Sequence, residues 1–415
     1  MLHKRQAFAE SLAPIARLGG QLALRASGVA GPMKAAIRSS LKANLLLVGA
    51  SLVAALLLGE ALLRIVLFRQ YYVWPPNIVK VFRLDSRYVP GIFGDSRFET
   101  NSLGLRGDEL TPSDTYRILT VGGSTTECIY LDQTKAWPAL LQKSLNESHR
   151  GHKVWVGNAA MSGRSTANHI AVMRFLPLKA LRIDMVVALV GVNDFQRYLS
   201  NPDYLTESGD LEQVLFDTFK GGIRPPPDAS LIRGTATWCL LRYVKHRLAD
   251  RASESNLQDD TGSVLERWRE NRRQATDIRT AMPDLSAGLR SYEDNLNQMA
   301  DLALAQSVRL IFVTQPSMWR AGLPQELNSL LWMGGIGNFQ EHSGAAYYSP
   351  EALADGMERY NRLLLKVCER RGVECVDLSH LEKDTSVFYD DVHFNESGAR
   401  KVAAAITAHI LSGSW

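Results

Sequence analysis

The sequence predicts an α/β fold, a three-layer α/β/α sandwich around a parallel sheet, preceded by a transmembrane helix. From Tyr116 onward, short apolar runs rich in β-branched residues alternate with helical patterns. The runs are apolar throughout, which is typical of strands covered on both faces, and right-handed crossovers then give two outer helical layers. The predicted strands are Arg117–Val121, Lys153–Val156, Asp184–Val190, Ser307–Thr314 and Gly372–Leu378. The predicted helices are Ala136–Ser148, Ala167–Ala180, Leu289–Gln306, Ser349–Arg371 and Asn395–Leu411.

The transmembrane helix is predicted over Asn44–Phe68. This stretch is long enough to cross about 30 Å of hydrocarbon at about 1.5 Å per residue. Glu60 and Arg64 interrupt it four residues apart, so they share a helix face and can pair. Residues 1–43 form a basic segment, which predicts a cytoplasmic N-terminal side and an extracytoplasmic bulk of the chain. A buried soluble helix and a cleaved signal peptide, with Met33 as an alternative start, are the open alternatives.

Composition limits the possible classes of protein. The chain has 415 residues, of which 46% are hydrophobic and 22% charged, which excludes wholesale disorder. The net charge of +4 is too small and too dispersed for a nucleic-acid-binding surface. Four cysteines fit an oxidising compartment without requiring one. Cys368 and Cys375 are close enough in sequence to pair, and free buried thiols are the alternative.

The rest of the chain divides into a linker and one large domain. Residues 69–115 are predicted to be a linker whose Asn101–Gly107 turn docks onto the domain of residues 116–415. Ser200–Ala287 is polar and is predicted to be an insertion into that domain. Its charge-dense end, Glu266–Arg279, is predicted to be a solvated helix, and the insertion as a whole suggests a helical lid. The long aromatic loop Pro316–Tyr348 is more typical of a functional segment than of a passive one.

The first chemical signal ends the first predicted strand, at Gly122-Gly123-Ser124-Thr125. Glycines allow a sharp turn, and the serine then begins a helix at the sheet edge, where ligands of such folds bind. A serine hydroxyl becomes a useful nucleophile only when a base takes its proton. The alternative is an ordinary serine at a helix N-cap. A phosphate-binding loop is disfavoured because the Gly-Lys-Ser/Thr ending is absent from this segment.

Asp390-Asp391-Val392-His393, just before the last helix, supplies a candidate base. His393 can accept the serine proton, and Asp390 can hold its imidazole in the required tautomer. Asp391 is a rival for that role, although adjacent side chains diverge. A surface aspartate and a core histidine are the alternative interpretation.

Two further segments supply hydrogen-bond donors for an oxyanion. Gly163, in the block Asn158–Gly163, can bring its backbone N–H close to substrate. Asn193, in Gly191–Asp194, can offer its side-chain amide, and the Ser124 N–H is a third donor. Each such donor is worth about 10²–10³ in rate. A turn glycine and a loop-capping asparagine are the alternatives.

Together, these four ordered blocks resemble the SGNH (GDSL-like) hydrolase family over roughly residues 116–411. The resemblance implies a flavodoxin-like sandwich and metal-free, cofactor-free esterase or lipase-type activity. It also implies Ser124 as nucleophile, His393 as base, Asp390 as its partner, and Gly163, Asn193 and Ser124 as oxyanion donors. One departure is that Gly123 stands where the family usually has aspartate.

The expected protein is a membrane-anchored extracytoplasmic esterase, periplasmic in a Gram-negative source, that removes small acyl groups such as acetyl from polysaccharide or glycan. Trp319 and Trp332 could stack on sugar rings or could be lid or core residues. Acyl transfer to a sugar hydroxyl by the same site is one alternative, and a catalytically silent glycan-binding or scaffold domain is another. Lipid hydrolysis would need an apolar groove, for which Leu327–Met333 is the candidate. The sequence leaves the oligomeric state open.

Overall fold

The computed structural model describes residues 41–65, 71–148, 151–201, 205, 211–220, 230–241, 244–245 and 262–413. The chain separates into two compact units, residues 1–66 and 67–415. In the first unit, helix α1 (Leu41–Ile65) is long and apolar enough to cross a membrane, as an anchor or a signal segment would be. Glu60 and Arg64 on α1 pair at 2.8 Å, as their spacing predicts. The basic residues 1–40 and the end of the predicted anchor, residues 66–68, lie outside the described residues.

The second unit is built on a five-stranded parallel sheet of strand order β4-β3-β5-β7-β9. In chain order the strands are β1 (Val79–Phe82), β2 (Ser96–Glu99), β3 (Tyr116–Gly122), β4 (Val154–Asn158), β5 (Met185–Leu189), β6 (Ile278–Arg279), β7 (Arg309–Val313), β8 (Tyr347–Tyr348) and β9 (Glu374–Val376). The helices after α1 are α2 (Ser124–Glu127), α3 (Trp137–Glu147), α4 (Thr166–Phe175), α5 (Val192–Ser200), α6 (Leu211–Thr218), α7 (Ser263–Arg273), α8 (Ser286–Gln306), α9 (Gln325–Asn328), α10 (Pro350–Arg371) and α11 (Glu396–Ser412).

The helices cover the sheet in two layers, as the alternating pattern predicts. Helices α3 and α11 pack together, while α8 packs between α4 and α10. Right-handed crossovers on either side of β3 put these two groups on opposite faces. Central strands β3 and β5 are buried almost throughout, because neither face is open to water. The α/β/α sandwich predicted from the sequence is confirmed.

Several predicted boundaries are too wide. Helix α4 ends at Phe175 rather than Ala180, because Pro177 disfavours the helical conformation at Leu176, which is extended. Strand β9 spans only Glu374–Val376, the three residues that pair with β7.

The segment before the sheet packs tightly onto it. Strands β1 and β2 form an antiparallel pair, and the Arg106 and Asn158 backbones exchange hydrogen bonds of 3.0 and 2.9 Å. The buried Arg106 guanidinium donates to the carbonyl oxygens of Glu127 and Cys128. Arg106 therefore holds the chain just after α2, at the end of the first chemical block.

The charge-dense end of the insertion is helical only as far as Arg273, and α7 is solvated on one face but buried on the other. In α7, Arg269 is only 1% exposed, and its guanidinium donates to the carbonyl oxygens of Tyr88, Leu330 and Tyr389. Arg272, also buried, donates to the carbonyl oxygens of Met333 and Tyr348. These bonds satisfy the buried guanidinium groups, so α7 is a structural support of the aromatic loop.

A disulfide joins Cys368, near the end of α10, to Cys375 in β9, with the two Cα atoms 6.2 Å apart. Between them Gly372 ends the helix at a φ of 61°, a left-handed conformation that favours glycine. The pairing left open by the sequence is therefore present in the structure.

Replacing both Cys368 and Cys375 by serine is expected to lower the free energy of unfolding by about 2–3 kcal/mol, because the bridge closes a short loop in the unfolded chain. Urea denaturation measures this change. A reductant should lower the stability of the wild type to that of the double variant. Cys239→Ser is the control, and an equal loss in that variant would contradict the assignment.

Candidate active site

Ser124 is the first residue of α2, directly after the turn that ends β3. At Gly122 a side chain would lie 2.2 Å from Thr126 Oγ1 and 2.8 Å from the Leu189 carbonyl oxygen, so only glycine fits this turn. The Ser124 hydroxyl oxygen lies 2.7 Å from His393 Nε2. The turn therefore places the Ser124 hydroxyl beside His393 Nε2, the ring nitrogen that can accept its proton.

His393 is held from its other side by Asp390. Its Nδ1 lies 2.9 Å from Asp390 Oδ1 and 2.8 Å from Asp390 Oδ2. The Val392 and His393 backbone N–H groups also donate to Oδ1, at 3.1 and 2.9 Å. A carboxylate at Nδ1 requires that nitrogen to carry the proton, which leaves Nε2 free to accept one from Ser124.

The electrostatics agree with this arrangement. Burial alone would lower the pKa of His393, but the nearby Asp390 carboxylate outweighs it, and the pKa is raised above its ordinary value. Burial opposes the charge on Asp390, yet its attraction to His393 and its hydrogen bonds lower its pKa. The pair is therefore arranged to stabilise an imidazolium beside an ionised carboxylate, as general-base catalysis requires.

Asp391, the rival orienting residue, faces away from the imidazole. Its Oδ1 accepts from Trp319 Nε1 at 2.8 Å, and its Oδ2 accepts from the Trp332 backbone N–H at 2.7 Å. Burial and the charge of Asp390 raise the pKa of Asp391. Its contacts are those of an anchor for the aromatic loop.

The candidate oxyanion donors lie around the same turn. Asn193 is in the first turn of α5, and its Nδ2 donates to the Arg164 carbonyl oxygen at 2.9 Å. A side chain at position 123 would lie 2.0 Å from that Nδ2, so Gly123 leaves the space that the amide occupies. Gly163 has a φ of 73° and lies in the loop after β4. In the same loop, the Met161 N–H donates to the Gly122 carbonyl oxygen at 3.3 Å. The donor roles of Gly163, Asn193 and Ser124 stay predictions.

Replacing Asn193 by alanine is expected to lower kcat by about 10²–10³-fold and to change KM by less than about threefold, because the donor acts mainly on the transition state. Steady-state kinetics with a p-nitrophenyl ester measure both. The control is Asn338→Ala, whose exposed amide bonds Glu341. An effect on KM alone would remove Asn193 from the oxyanion hole.

The structure buries both tryptophans that were candidates for stacking on sugar rings. Trp319 is 0% exposed, and its indole N–H donates to Asp391. The prediction that Trp319 stacks on a sugar is therefore wrong, and the alternative that it is a core residue is correct. Trp332 is 7% exposed, and its Nε1 donates to Asp390 Oδ2 at 2.9 Å. Both buried indoles donate to the Asp390-Asp391 segment, Trp332 to Asp390 and Trp319 to Asp391.

Glu127 lies three residues after the predicted nucleophile and was not among the predicted site residues. Its buried Oε2 accepts hydrogen bonds from the Ser162 backbone N–H at 2.8 Å and from the Ser162 hydroxyl. Burial raises the pKa of Glu127, against the opposing hydrogen bond of Ser162 and the charge of Arg106. Glu127 thus fixes the loop that carries Gly163. Its place on a short helix among otherwise uncharged residues was the available signal.

Asp194 was also missed, although its motif was recognised. Its carboxylate accepts from the Thr166 backbone N–H at 3.2 Å and from the Thr166 hydroxyl at 2.5 Å. Burial raises the pKa of Asp194 to about 6. Asp194 therefore ties the Asn193 turn to the start of α4, beside the Gly163 loop.

Among the described residues, no group of three His, Cys, Asp or Glu side chains is placed to hold a metal ion.

The chain matches the GDSL-like Lipase/Acylhydrolase family over residues 120–401. A search of curated proteins gave no match. Solved structures that match the chain include an acetylxylan esterase, Axe2, from Geobacillus stearothermophilus (13% identity, 72% of this chain and 96% of that chain, TM-score 0.38). They also include LAE5, an alpha/beta hydrolase enzyme from the metagenome of Lake Arreo, Spain (14% identity, 71% and 95%, TM-score 0.38), and TesA (15%, 71% and 97%, TM-score 0.34).

The TM-scores of these neighbours are too low to indicate a substrate, so the family match over most of the chain carries the assignment. It agrees with the parallel sheet and with the four blocks that the sequence analysis identified. The resemblance inferred from Ser124, Gly163, Asn193 and the Asp390–His393 segment is confirmed at the level of family. The chain belongs to the GDSL-like lipase/acylhydrolase family, and it is an ester-hydrolysing serine hydrolase.

Proposed function

We propose that this protein is a membrane-anchored, extracytoplasmic serine esterase that removes small acyl groups, such as acetyl, from a polysaccharide or glycan. The observation that carries the catalytic part is the chain of contacts from Ser124 Oγ to His393 Nε2, at 2.7 Å, and from His393 Nδ1 to Asp390. This order of groups supports a two-step acyl transfer to water.

In the first step, the Ser124 oxygen attacks the ester carbonyl while His393 accepts the hydroxyl proton. The tetrahedral oxyanion receives hydrogen bonds from Asn193, Gly163 and the Ser124 backbone. Collapse of this intermediate breaks the ester C–O bond, and His393 returns the proton to the leaving alcohol. In the second step, water attacks the acyl-enzyme with His393 as base, which releases the acid and restores Ser124.

Three observations support the location. Helix α1 has the length and composition of a membrane span, and the segment before it is basic, which favours a cytoplasmic N-terminal side. The Cys368–Cys375 disulfide fits an oxidising compartment. A catalytic unit tethered at that surface would meet the acylated glycans of the cell envelope, which favours small O-acyl groups as substrates.

Hydrolysis of p-nitrophenyl acetate, butyrate and octanoate by the full-length protein in detergent tests the activity, beside Ser124→Ala. We expect serine-dependent turnover that falls with acyl-chain length, and acetate release from an acetylated polysaccharide. A preference for octanoate would contradict the small acyl group and favour lipid hydrolysis. Acyl transfer to an added sugar in place of hydrolysis would make the enzyme an acyltransferase. A folded protein without turnover would contradict the proposal as a whole.

Fusion of alkaline phosphatase after Trp415 tests the orientation. The reporter should be active, because this enzyme acquires its disulfides only outside the cytoplasm. A matched fusion to a fluorescent protein that matures only in the cytoplasm should stay dark. The opposite pair of results would overturn the topology.

A further inference from the structure

Trp332 lies beside both side chains of the candidate catalytic pair. Its indole Nε1 donates to Asp390 Oδ2 at 2.9 Å. Its ring lies parallel to the imidazole of His393, with the ring centroids 6.2 Å apart and an interplanar angle of 8°. A side chain that touches the orienting carboxylate and faces the base is placed to control the geometry of both.

The contact with Asp390 complements the backbone contacts. The Val392 and His393 N–H groups donate to Oδ1, whereas Trp332 donates to Oδ2. Rotation of the carboxylate about its Cβ–Cγ bond would break bonds at both oxygens. The fully buried carboxylate is thereby held with both of its oxygen atoms toward His393 Nδ1. Hydrogen bonds to an ionised acceptor are the strong ones, so the indole contribution is substantial.

Trp332 is itself fixed by groups that lie far away in sequence. Its backbone N–H donates to Asp391 Oδ2 at 2.7 Å. Its ring packs against the ring of Trp268 on α7, with the two centroids 4.6 Å apart. On either side of it, Arg269 and Arg272 of α7 bond the carbonyl oxygens of Leu330 and Met333. The indole therefore meets Asp390 in an orientation set by the end of the insertion.

We propose that Trp332 is a positioning residue, which acts through Asp390 and His393 and links α7 to the catalytic pair. This inference rests on the proposed function, because it assigns Trp332 a part in the same reaction. It differs from a sugar-binding role, which would need an exposed indole face and would act on substrate affinity. With 7% of its surface exposed, Trp332 has little face to offer a ligand.

The test uses the full-length protein with Trp332→Phe, which keeps an aromatic ring and loses the N–H donor. We expect kcat to fall about 10- to 100-fold, as the loss of a hydrogen bond to a charged group implies, with KM changed by less than about twofold. The matched control is Trp155→Phe. Trp155 is also buried, and its Nε1 donates at 2.9 Å to the Asp108 carbonyl oxygen. It should lose similar stability and keep kcat.

The pH profile gives a readout that a merely structural role would not change. Without the indole donor the Asp390 carboxylate becomes more basic and attracts the imidazolium more strongly. The acid limb of kcat/KM should therefore move to higher pH in Trp332→Phe and stay in place in Trp155→Phe. The other charges that act on His393, those of Asp391 and Glu127, are the same in both variants, and so is the Tyr389 ring that stacks on its imidazole. An unchanged kcat, or a change in KM alone, would overturn the inference.

A second variant covers the case in which Trp332→Phe does not fold. Site-specific incorporation of benzothienylalanine at position 332 replaces the indole N–H by sulfur and keeps the shape. It should reproduce the loss in kcat, and full activity of this variant would overturn the inference.

A third measurement separates the two proposals. If the wild-type protein shows no Ser124-dependent turnover, the proposed function fails, but the Trp332 contact remains testable by NMR. The His393 Nδ1 proton, bonded to Asp390, should resonate downfield and should shift when the donor at position 332 is lost. A resonance that Trp332→Phe leaves in place, as Trp155→Phe should, would overturn the inference without any reference to activity.

Discussion

Replacing Ser124 by alanine is expected to lower kcat by about 10⁴- to 10⁶-fold while the fold stays intact, because the attacking oxygen is lost and only the oxyanion donors and substrate binding remain. The Ser124 side chain is partly exposed at the start of a short helix, and its hydroxyl contacts His393, so its removal leaves no large cavity. Single-turnover kinetics, with circular dichroism as a check on folding, measure the effect.

The control for Ser124→Ala is Ser113→Ala, an exposed serine before β3 that bonds Lys153. A fluorophosphonate probe supplies an independent readout, because it labels an activated serine covalently. Mass spectrometry should locate the label on the peptide that contains Ser124 and find none in the alanine variant. Full activity of Ser124→Ala, or a label on another serine, would refute the nucleophile assignment.

Replacing Asp390 by asparagine is expected to lower kcat by about 10⁴-fold, because a neutral amide at this position favours the wrong tautomer of His393. In the wild type, burial would lower the pKa of His393, but the Asp390 carboxylate raises it above its ordinary value. Removing that charge should lower the pKa of His393. The acid limb of the kcat/KM profile should therefore move to lower pH, the opposite direction from that expected for Trp332→Phe.

Asp391→Asn is the matched control, since Asp391 is adjacent and equally buried but bonds Trp319 and the Trp332 backbone. Its kcat should fall far less than that of Asp390→Asn, although its stability should fall because the aromatic loop loses a charged acceptor. Equal losses of kcat in the two variants would mean that the orienting role is shared or wrongly assigned.

The parallel sheet and its candidate site could be predicted because both depend on local patterns. A buried parallel strand is apolar along its whole length, and the residue after its carboxyl end lies at the edge where ligands bind. Ser124 and Asn193 follow such strands, and Gly163 lies in the loop after β4. The Asp390 and His393 spacing lets one loop present both groups, which needs no knowledge of distant contacts.

The residues that hold the site in place could not be predicted, because the groups they bond are distant in sequence. Arg269 and Arg272 look solvated in a charge-dense helix, and only the folded chain brings loop carbonyl groups to them. Trp332 resembles a sugar-binding residue until its indole is seen to bond Asp390, 58 positions away. The Cys368–Cys375 pairing was left open because a spacing of seven residues permits it without requiring it.

The two buried arginines of α7 limit how far this enzyme could be shortened. Excision of the whole polar segment between residues 200 and 287 is the natural design for a smaller catalyst. It would remove the donors to five carbonyl oxygens, those of Tyr88, Leu330, Met333, Tyr348 and Tyr389. Buried carbonyl groups left without donors are costly. A deletion that stops before Gly262 would spare them. A shortened segment should therefore keep all of α7, a requirement that the charge pattern of the sequence does not reveal.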